Sequence, residues 1–213
     1  MLVAACVKWA DLRPEVDPVH GTVRSTGRSE GFSEADRAAV EVALDLAGQW
    51  GAEVAVVCAG PEPAEAGLRE LQAAGAGRAV RVDLPAGQPS EAVAASLAPV
   101  LAALLDADVV VCGDYSADRG SGSVPAYLAH LLGAEQALGL VGVAADGPGR
   151  VAGVRRLDGG RREDLVATAP AVLSVEGSVA TLRRASLAAT LGAHVAAVEV
   201  VPGRPAPRAE QPR

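Results

Sequence analysis

A chain of 213 residues, half of them apolar and with a formal net charge of −7, is long enough to bury a substantial core. Aromatic residues make up only 2%, and with no basic stripe beside them the composition argues against nucleic acid as a partner. No apolar run reaches the length that crosses a bilayer and the N-terminus reads as a strand, so the expectation is a cytoplasmic protein without membrane insertion.

Taken in order, Leu2 to Val7 is a first strand. The polar stretch from Asp11 to Gly31 has no sustained period and reads as a long loop or small excursion. Ser33, with Asp36 three residues later, makes a capping-box start for a helix whose apolar face is Val40, Ala43, Leu44 and Ala47 and whose end lies near Gly51. Val54 to Cys58 is a second buried strand, followed by a helix from Glu62 to Ala74 and a short strand from Ala79 to Val82. Pro89, Ser90 and Glu91 open a helix through Leu105 that Pro99 should kink or split.

Val109 to Cys112 is an unbroken β-branched run ending at Gly113, as expected of a strand buried on both faces of a parallel sheet. A loop rich in Gly, Ser and Asp follows, and then Val124, Tyr127, Leu128, Leu131 and Leu132 at helical spacing behind Pro125. Strand, small-residue loop and helix start form a phosphate-holding arrangement: the N–H groups of Gly120, Ser121, Gly122 and Ser123 would be orphaned at the helix N-terminus and free to meet an anion. An ordinary turn with a serine cap is the alternative.

After Leu132 the pattern changes. Leu138 to Val143, Val151 to Leu157, Asp164 to Thr168 and Val172 to Val175 are short strand-like runs with hairpin signals at Gly147-Pro148-Gly149 and Asp158-Gly159-Gly160, predicting antiparallel hairpins added at an edge or as a small second layer. Ser174 to Ala193 reads as an irregular or helical arm, Val195 to Val201 as a last strand, and the tail from Pro202 as disordered. The alternation up to Leu132 implies an α/β fold with a mostly parallel sheet flanked by helices.

Cys6, Cys58 and Cys112 are too few and too scattered for a disulfide framework or zinc site. Each ends a predicted strand, where a small side chain would line a ligand crevice or simply fill the core. His20, His130 and His194 share no metal spacing. No Walker loop and no Ser-His-Asp or Cys-His set is readable, so no metal site and no independent catalysis are expected.

The ordered set Val7-Lys8, Ala39 to Leu44, Val57-Cys58-Ala59-Gly60-Pro61, Gly75 to Ala79, Val110 to Gly113, Asp118 to Gly122, Asp158-Gly159-Gly160, Pro170-Ala171-Val172 and Arg184 to Leu187 resembles the β subunit of electron-transfer flavoproteins up to about Val201. The resemblance implies a Rossmann-like fold of the adenine-nucleotide α-hydrolase type, in a single nucleotide-binding domain over residues 1–201. It also implies pairing with an α subunit, and a flavin adenine dinucleotide (FAD) shared with that subunit that carries electrons from a dehydrogenase to a downstream acceptor. The β subunit itself would bury AMP, or a second FAD in its place. Carried over by position, adenosine would lie near Cys6, Ser33 and Ala59, and the phosphate on Gly120, Ser121 and Gly122, within a nucleotide loop that takes in Gly113, Asp118, Arg119 and Ser123.

Leu187 falls at the place of the family's partner-recognition leucine, on an arm spanning residues 174–193, with Arg184 and Arg183 beside it either to steer an acidic surface or, as is commoner for such a pair, to form a solvated face. As a bland alternative, Leu182, Leu187 and Leu191 also suit the packing of a short helix. The sequence departs from the family in a shorter nucleotide loop, with Ser121 and Ser123 for Thr and Gln, and in Arg156 where many members have Glu. It also carries Leu12 near where some place an aromatic, Ala188 for a proline, and little of the long C-terminal arm. These mark a compact, diverged member that would serve a dedicated dehydrogenase, a mycofactocin-associated flavoprotein being one such. The rival expectation is a stand-alone, universal-stress-like adenine-nucleotide sensor or hydrolase, which would not need the hairpins or the arm.

Overall fold

Nine strands form one sheet in the computed structural model, which describes residues 1–24 and 27–206. The strands of the first half are β1 (Leu2–Val7), β2 (Glu53–Gly60), β3 (Arg78–Asp83) and β4 (Val109–Gly113), linked through helices α1 (Glu34–Trp50), α2 (Ala64–Ala73) and α3 (Ser90–Pro99). After α4 (Val124–Leu132) come β5 (Glu135–Ala145), β6 (Arg150–Arg156), β7 (Arg162–Thr168) and β8 (Ala171–Val175), then α5 (Leu187–Ala193) and β9 (Glu199–Pro202). The order across the sheet is β7-β6-β5-β8-β4-β1-β2-β3-β9, parallel from β5 to β9 and antiparallel only where β6 meets its two neighbours.

Local chemistry explains the elements. Every residue of β1 and β8 is buried, as strands covered on both faces require. The α1 helix opens with a complete capping box: Asp36 N–H donates to Ser33 Oγ at 3.2 Å, and Ser33 N–H donates to Asp36 Oδ2 at 2.9 Å. It ends at Gly51 in the left-handed region, with φ 64°. Ala38, Ala39, Ala43 and Ala47 lie on its buried face, where small side chains let it approach the sheet closely. Pro99 lacks a donor, and α3 passes there into a wider π turn over Val100–Leu104, the split that the sequence predicts.

The alternation of strand side chains divides the core in two. Val3, Ala5, Val56, Cys58 and Leu173 face α1 and α2 with Leu68 and Leu71, whereas Ala4, Cys6, Val57 and Cys112 face α3 and α4 with Leu97, Leu101 and Leu128. A fully buried leucine contributes about 2 kcal/mol. The sheet is therefore wound in both directions from β1, and the point where the winding reverses lies between the C-terminal ends of β1 and β4.

Three expectations are corrected. The run Val172–Val175 belongs to a central strand, not to an appended hairpin, because β8 inserts between β4 and β5 with Val172 opposite Val110. The antiparallel addition is the β5-β6-β7 meander alone. The last strand is shorter and later than Val195 to Val201, at Glu199–Pro202. The tail is fixed as far as Ala206: Gly203 N–H donates to Asp83 O at 3.0 Å, Arg204 N–H to Ser96 Oγ at 2.9 Å, and Ala206 N–H to Gln88 Oε1 at 2.8 Å. Residues 207–213 of the expected disordered tail lie outside the described residues. The excursion between β1 and α1 holds two small antiparallel ribbons, Ala10–Asp11 with Glu30–Gly31 and Glu15–Val16 with Val23–Arg24.

Candidate functional site

A cleft of about 700 Å³, open mouth included, lies at the reversal point. Its floor is Cys6 at the end of β1 and Cys112 and Gly113 at the end of β4, with Ala59 of β2 beside them. Cys6 and Cys112 are register partners on neighbouring strands, and the Cys6 side chain and burial together hold the Cys112 thiol well above its ordinary range. Cys58 takes no part, since its side chain points to the α1 and α2 face.

One wall of the cleft is the loop from Asp114 to Ser123. Ser116 N–H donates to Ser121 O at 3.1 Å and Gly120 N–H to Ser116 O at 2.8 Å, so the loop folds back on itself. That corrects the expectation at Gly120, whose amide is spent inside the loop. The amides of Ser121, Gly122 and Ser123 have no acceptor among the described residues, and no side chain caps the N-terminus of α4. Ser123 occupies the cap position with helical backbone angles, φ −85° and ψ −19°, and so does not serve as the serine cap of an ordinary turn. Glycine is obligatory at 122, where a Cβ would stand 2.0 Å from the Asp114 carbonyl oxygen.

Two cations frame the mouth. Arg119 Nη2 donates to the carbonyl of Gly87 and so ties the loop to the segment that leads into α3, where Gln88 and the first helical residue, Ser90, join the lining. Lys8 Nζ donates to Ser116 Oγ at 2.8 Å and pairs with Asp118 Oδ1 at 2.5 Å. Partial burial pushes Asp118 up, but Lys8 and Ser116 outweigh it and hold the carboxyl below its usual range.

Of the residues predicted from sequence, Cys6, Ala59, Gly113, Arg119, Ser121 and Gly122 line this one cleft. Asp118, Gly120, Ser123 and Ser33 stand behind the lining, Asp118 through Lys8 and Ser33 through Asp36. Lys8, Asp36, Gln88, Ser90, Tyr115 and Ser116 also line the cleft, and sequence reasoning missed them as a set. Asp36 was legible as a capping residue, but nothing in its spacing signals that the cap faces a cleft.

Leu187 and Arg184 lie elsewhere. Leu187 starts α5 and is 77% exposed, which rules out its reading as a core contact. The arm that presents it is pinned at Arg183, whose guanidinium donates to Glu41 Oε1 from Nη2 at 2.8 Å and to Asp45 Oδ1 at 2.7 Å, while its N–H donates to Glu41 Oε2 at 2.9 Å. Arg156 Nη2 donates to both carboxylate oxygens of Glu176, at 2.7 and 2.9 Å.

Residues 21–205 match the model of the electron transfer flavoprotein domain. The chain belongs to the electron transfer flavoprotein β family. The electron transfer flavoprotein subunit β of Mycobacterium tuberculosis is 33% identical over 155 residues, 70% of this chain and 58% of the relative. The corresponding subunit of Syntrophomonas wolfei is 30% identical over 83% of this chain and 69% of its own length. The protein FixA of Azorhizobium caulinodans is 30% identical over 94% of this chain and 74% of its own. The match thus spans a little under three fifths of the mycobacterial relatives' length. Among the described residues, no helix of this family member is long and apolar enough to cross a membrane, and no group of three or more His, Cys, Asp or Glu is placed to hold a metal ion.

Proposed function

We propose that this chain is the nucleotide-holding β subunit of a heterodimeric electron transfer flavoprotein. It binds AMP in the cleft between β1 and β4, pairs with an α subunit that carries FAD, and presents Leu187 to the dehydrogenase that supplies electrons. The observation that carries the reading is the run of three unpaired amides, Ser121 to Ser123, at the uncapped N-terminus of α4 and beside Arg119. Such a site attracts a phosphate through oriented N–H groups and the helix dipole, and needs no metal.

The residues present fit the phosphate of AMP: the loop approaches closely because Gly122 has no Cβ, and the floor at Cys6, Cys112 and Gly113 is small enough to admit a nucleoside. A second FAD in place of AMP would use the same phosphate contacts. The FAD held with the α subunit supplies the electron chemistry, while this chain contributes binding, orientation and the docking arm. An apolar anchor such as Leu187, set in a partner's desolvated pocket, contributes about 2 kcal/mol or more.

The test is direct. The purified chain is heat-denatured and the released small molecules are separated by chromatography, and the chain is co-expressed with a candidate α subunit from the same genome. AMP or FAD in the supernatant and co-purification of the two chains are the expected results. A nucleotide-free chain with no affinity on titration, or a stable lone chain that hydrolyses ATP, would overturn the reading.

A further inference from the structure

Residues 203–206 lie beyond the last strand, yet every N–H among them donates a hydrogen bond. Gly203 N–H donates to Asp83 O at 3.0 Å, at the end of β3. In the middle of α3, Ser96 Oγ accepts from Arg204 N–H at 2.9 Å and donates to Arg204 O at 3.2 Å. Ala206 N–H then donates to Gln88 Oε1 at 2.8 Å. The seat is shaped for this path, since a Cβ on Gly203 would stand 2.5 Å from the Asp83 carbonyl oxygen and 2.9 Å from Leu84 Cδ1. Ser96 is 4% exposed on a helix otherwise buried through Ala94, Leu97 and Ala98. The Arg204 backbone meets its hydroxyl both as donor and as acceptor, so the tail accounts for a polar side chain at that place.

Hydrogen bonds, more than packing, carry this attachment. Under it lies a second cavity of about 680 Å³, open mouth included, lined by Ser96, Pro99, Val100 and residues 201–204, and Arg204 and Pro205 are exposed. A segment with few buried apolar contacts and exposed backbone bonds sits at the low end of local stability. Another side of α3 faces the nucleotide cleft, where Gln88, Ser90, Val93 and Leu97 form part of the lining. Gln88 belongs to both places: it lines the cleft, and its side-chain carbonyl receives the tail. Because α3 opens at Pro89 without a side-chain cap, the bonds at Gln88 and at Gly87 are what fix the start of this wall.

We propose that residues 203–206 are a strap that sets the α3 wall of the cleft, so that docking of the strap and binding of the nucleotide reinforce each other. The inference rests on the nucleotide reading of the cleft. In the strapped state Ala206 holds Gln88 and Arg204 holds the middle of α3; in the released state the wall loses both fastenings and the nucleotide meets a looser site. A nucleotide that prefers the strapped state must, by linkage, hold the strap down by the same factor. Nucleotide affinity is thus set partly from outside the cleft, and whatever draws residues 203–206 away loosens the nucleotide.

Hydrogen exchange of the nucleotide-stripped full-length chain, with and without AMP, reads one side of this linkage. Calorimetric titration of AMP into the double variant Arg204→Pro, Ala206→Pro reads the other, because the two prolines remove N–H donors at positions that do not line the cleft. AMP is expected to slow exchange at Gly203, Arg204 and Ala206 by about tenfold, and the double variant to bind AMP about tenfold more weakly. Amides that open locally are slowed by a ligand only where opening and binding are linked. The Arg150 amide, bonded to Gly147 O at 3.1 Å in the turn between β5 and β6, is the control and should not change. Strap amides that exchange equally with and without AMP, or a folded double variant with wild-type affinity, overturn the strap while leaving the nucleotide cleft standing. Should the double variant not fold, the exchange comparison on the wild-type chain decides alone. No affinity of the wild-type chain for AMP overturns the cleft itself.

Discussion

Replacing Gly122 with alanine tests the nucleotide loop at its tightest point. The new Cβ would sit 2.0 Å from the Asp114 carbonyl oxygen and 3.1 Å from its carbon, whereas an ordinary C···O contact is about 3.3 Å or longer. The loop must therefore open by roughly 1 Å. Overpacking of this kind costs about 1–3 kcal/mol, and loss of the 3.1 Å bond from Ser116 N–H to Ser121 O adds about 1 kcal/mol. For a chain of this size a loss of about 2–4 kcal/mol lowers the melting temperature by roughly 5–15 °C. The amides of Ser121 and Ser123 move with the loop, so nucleotide affinity should fall by at least about tenfold in the fraction that stays folded. Gly133→Ala is the control: its φ is 61° with open space around the Cβ position, so it should cost about 1 kcal/mol and leave affinity unchanged. Thermal melts and AMP titration read both variants. A Gly122→Ala chain that melts and binds like the wild type would refute the assignment of the loop.

Arg183→Ala strips the partner from Glu41, a buried carboxylate, and should cost about 1–3 kcal/mol in denaturant unfolding. Burial alone would raise the Glu41 pKa, but the Arg183 bonds outweigh it and hold the folded carboxyl below its usual range, so the stability from this pair is present at neutral pH and lost as pH falls through the folded value. A variant that shows the same acid limb as the wild type would count against that linkage. Leu187→Ala, at an exposed position, should leave the melt unchanged and weaken dehydrogenase binding by roughly thirtyfold, equivalent to about 2 kcal/mol; a shifted melt would show that the side chain packs inside. Burial pushes Asp36 up to about 6 against its Ser33 and Lys8 donors. The folded chain then binds its proton more tightly than the unfolded chain, and this group's contribution to stability falls as pH rises from about 4 to about 6. The difference in melting temperature between wild type and Asp36→Asn, followed across that range, should carry this slope, and the opposite slope would refute it.

Much of the fold was legible because the signals are local. Ser33 and Asp36 mark a helix start through bonds to each other's backbone, Gly51 ends that helix through its own φ, and the run Val109 to Cys112 is a buried strand whatever its neighbours. The place of β8 was not legible, since Val172 to Val175 follows three hairpin strands in sequence and only the pairing of Val172 with Val110 carries it to the sheet centre. The tail misread for a similar reason. Its prolines and charges suggest solvent, yet its amides find Asp83, Ser96 and Gln88 across more than a hundred residues of chain. In the cleft, the strand ends and the Gly122 loop were readable as a phosphate-binding pattern. Lys8 and Asp36 were not, because their part depends on what the fold sets opposite them.

The segment just before α3 is gripped from two sides, by Arg119 at Gly87 and by Ala206 at Gln88. One grip comes from mid-chain and the other from the last described residue. While the polypeptide is being made, β4 has no neighbour on its outer side until β8 leaves the ribosome, and this wall gains its second fastening only some thirty residues afterwards. A nascent chain stalled before residue 171 therefore holds two separate groups of strands, β1 to β4 and β5 to β7, with the strand that joins them still unmade.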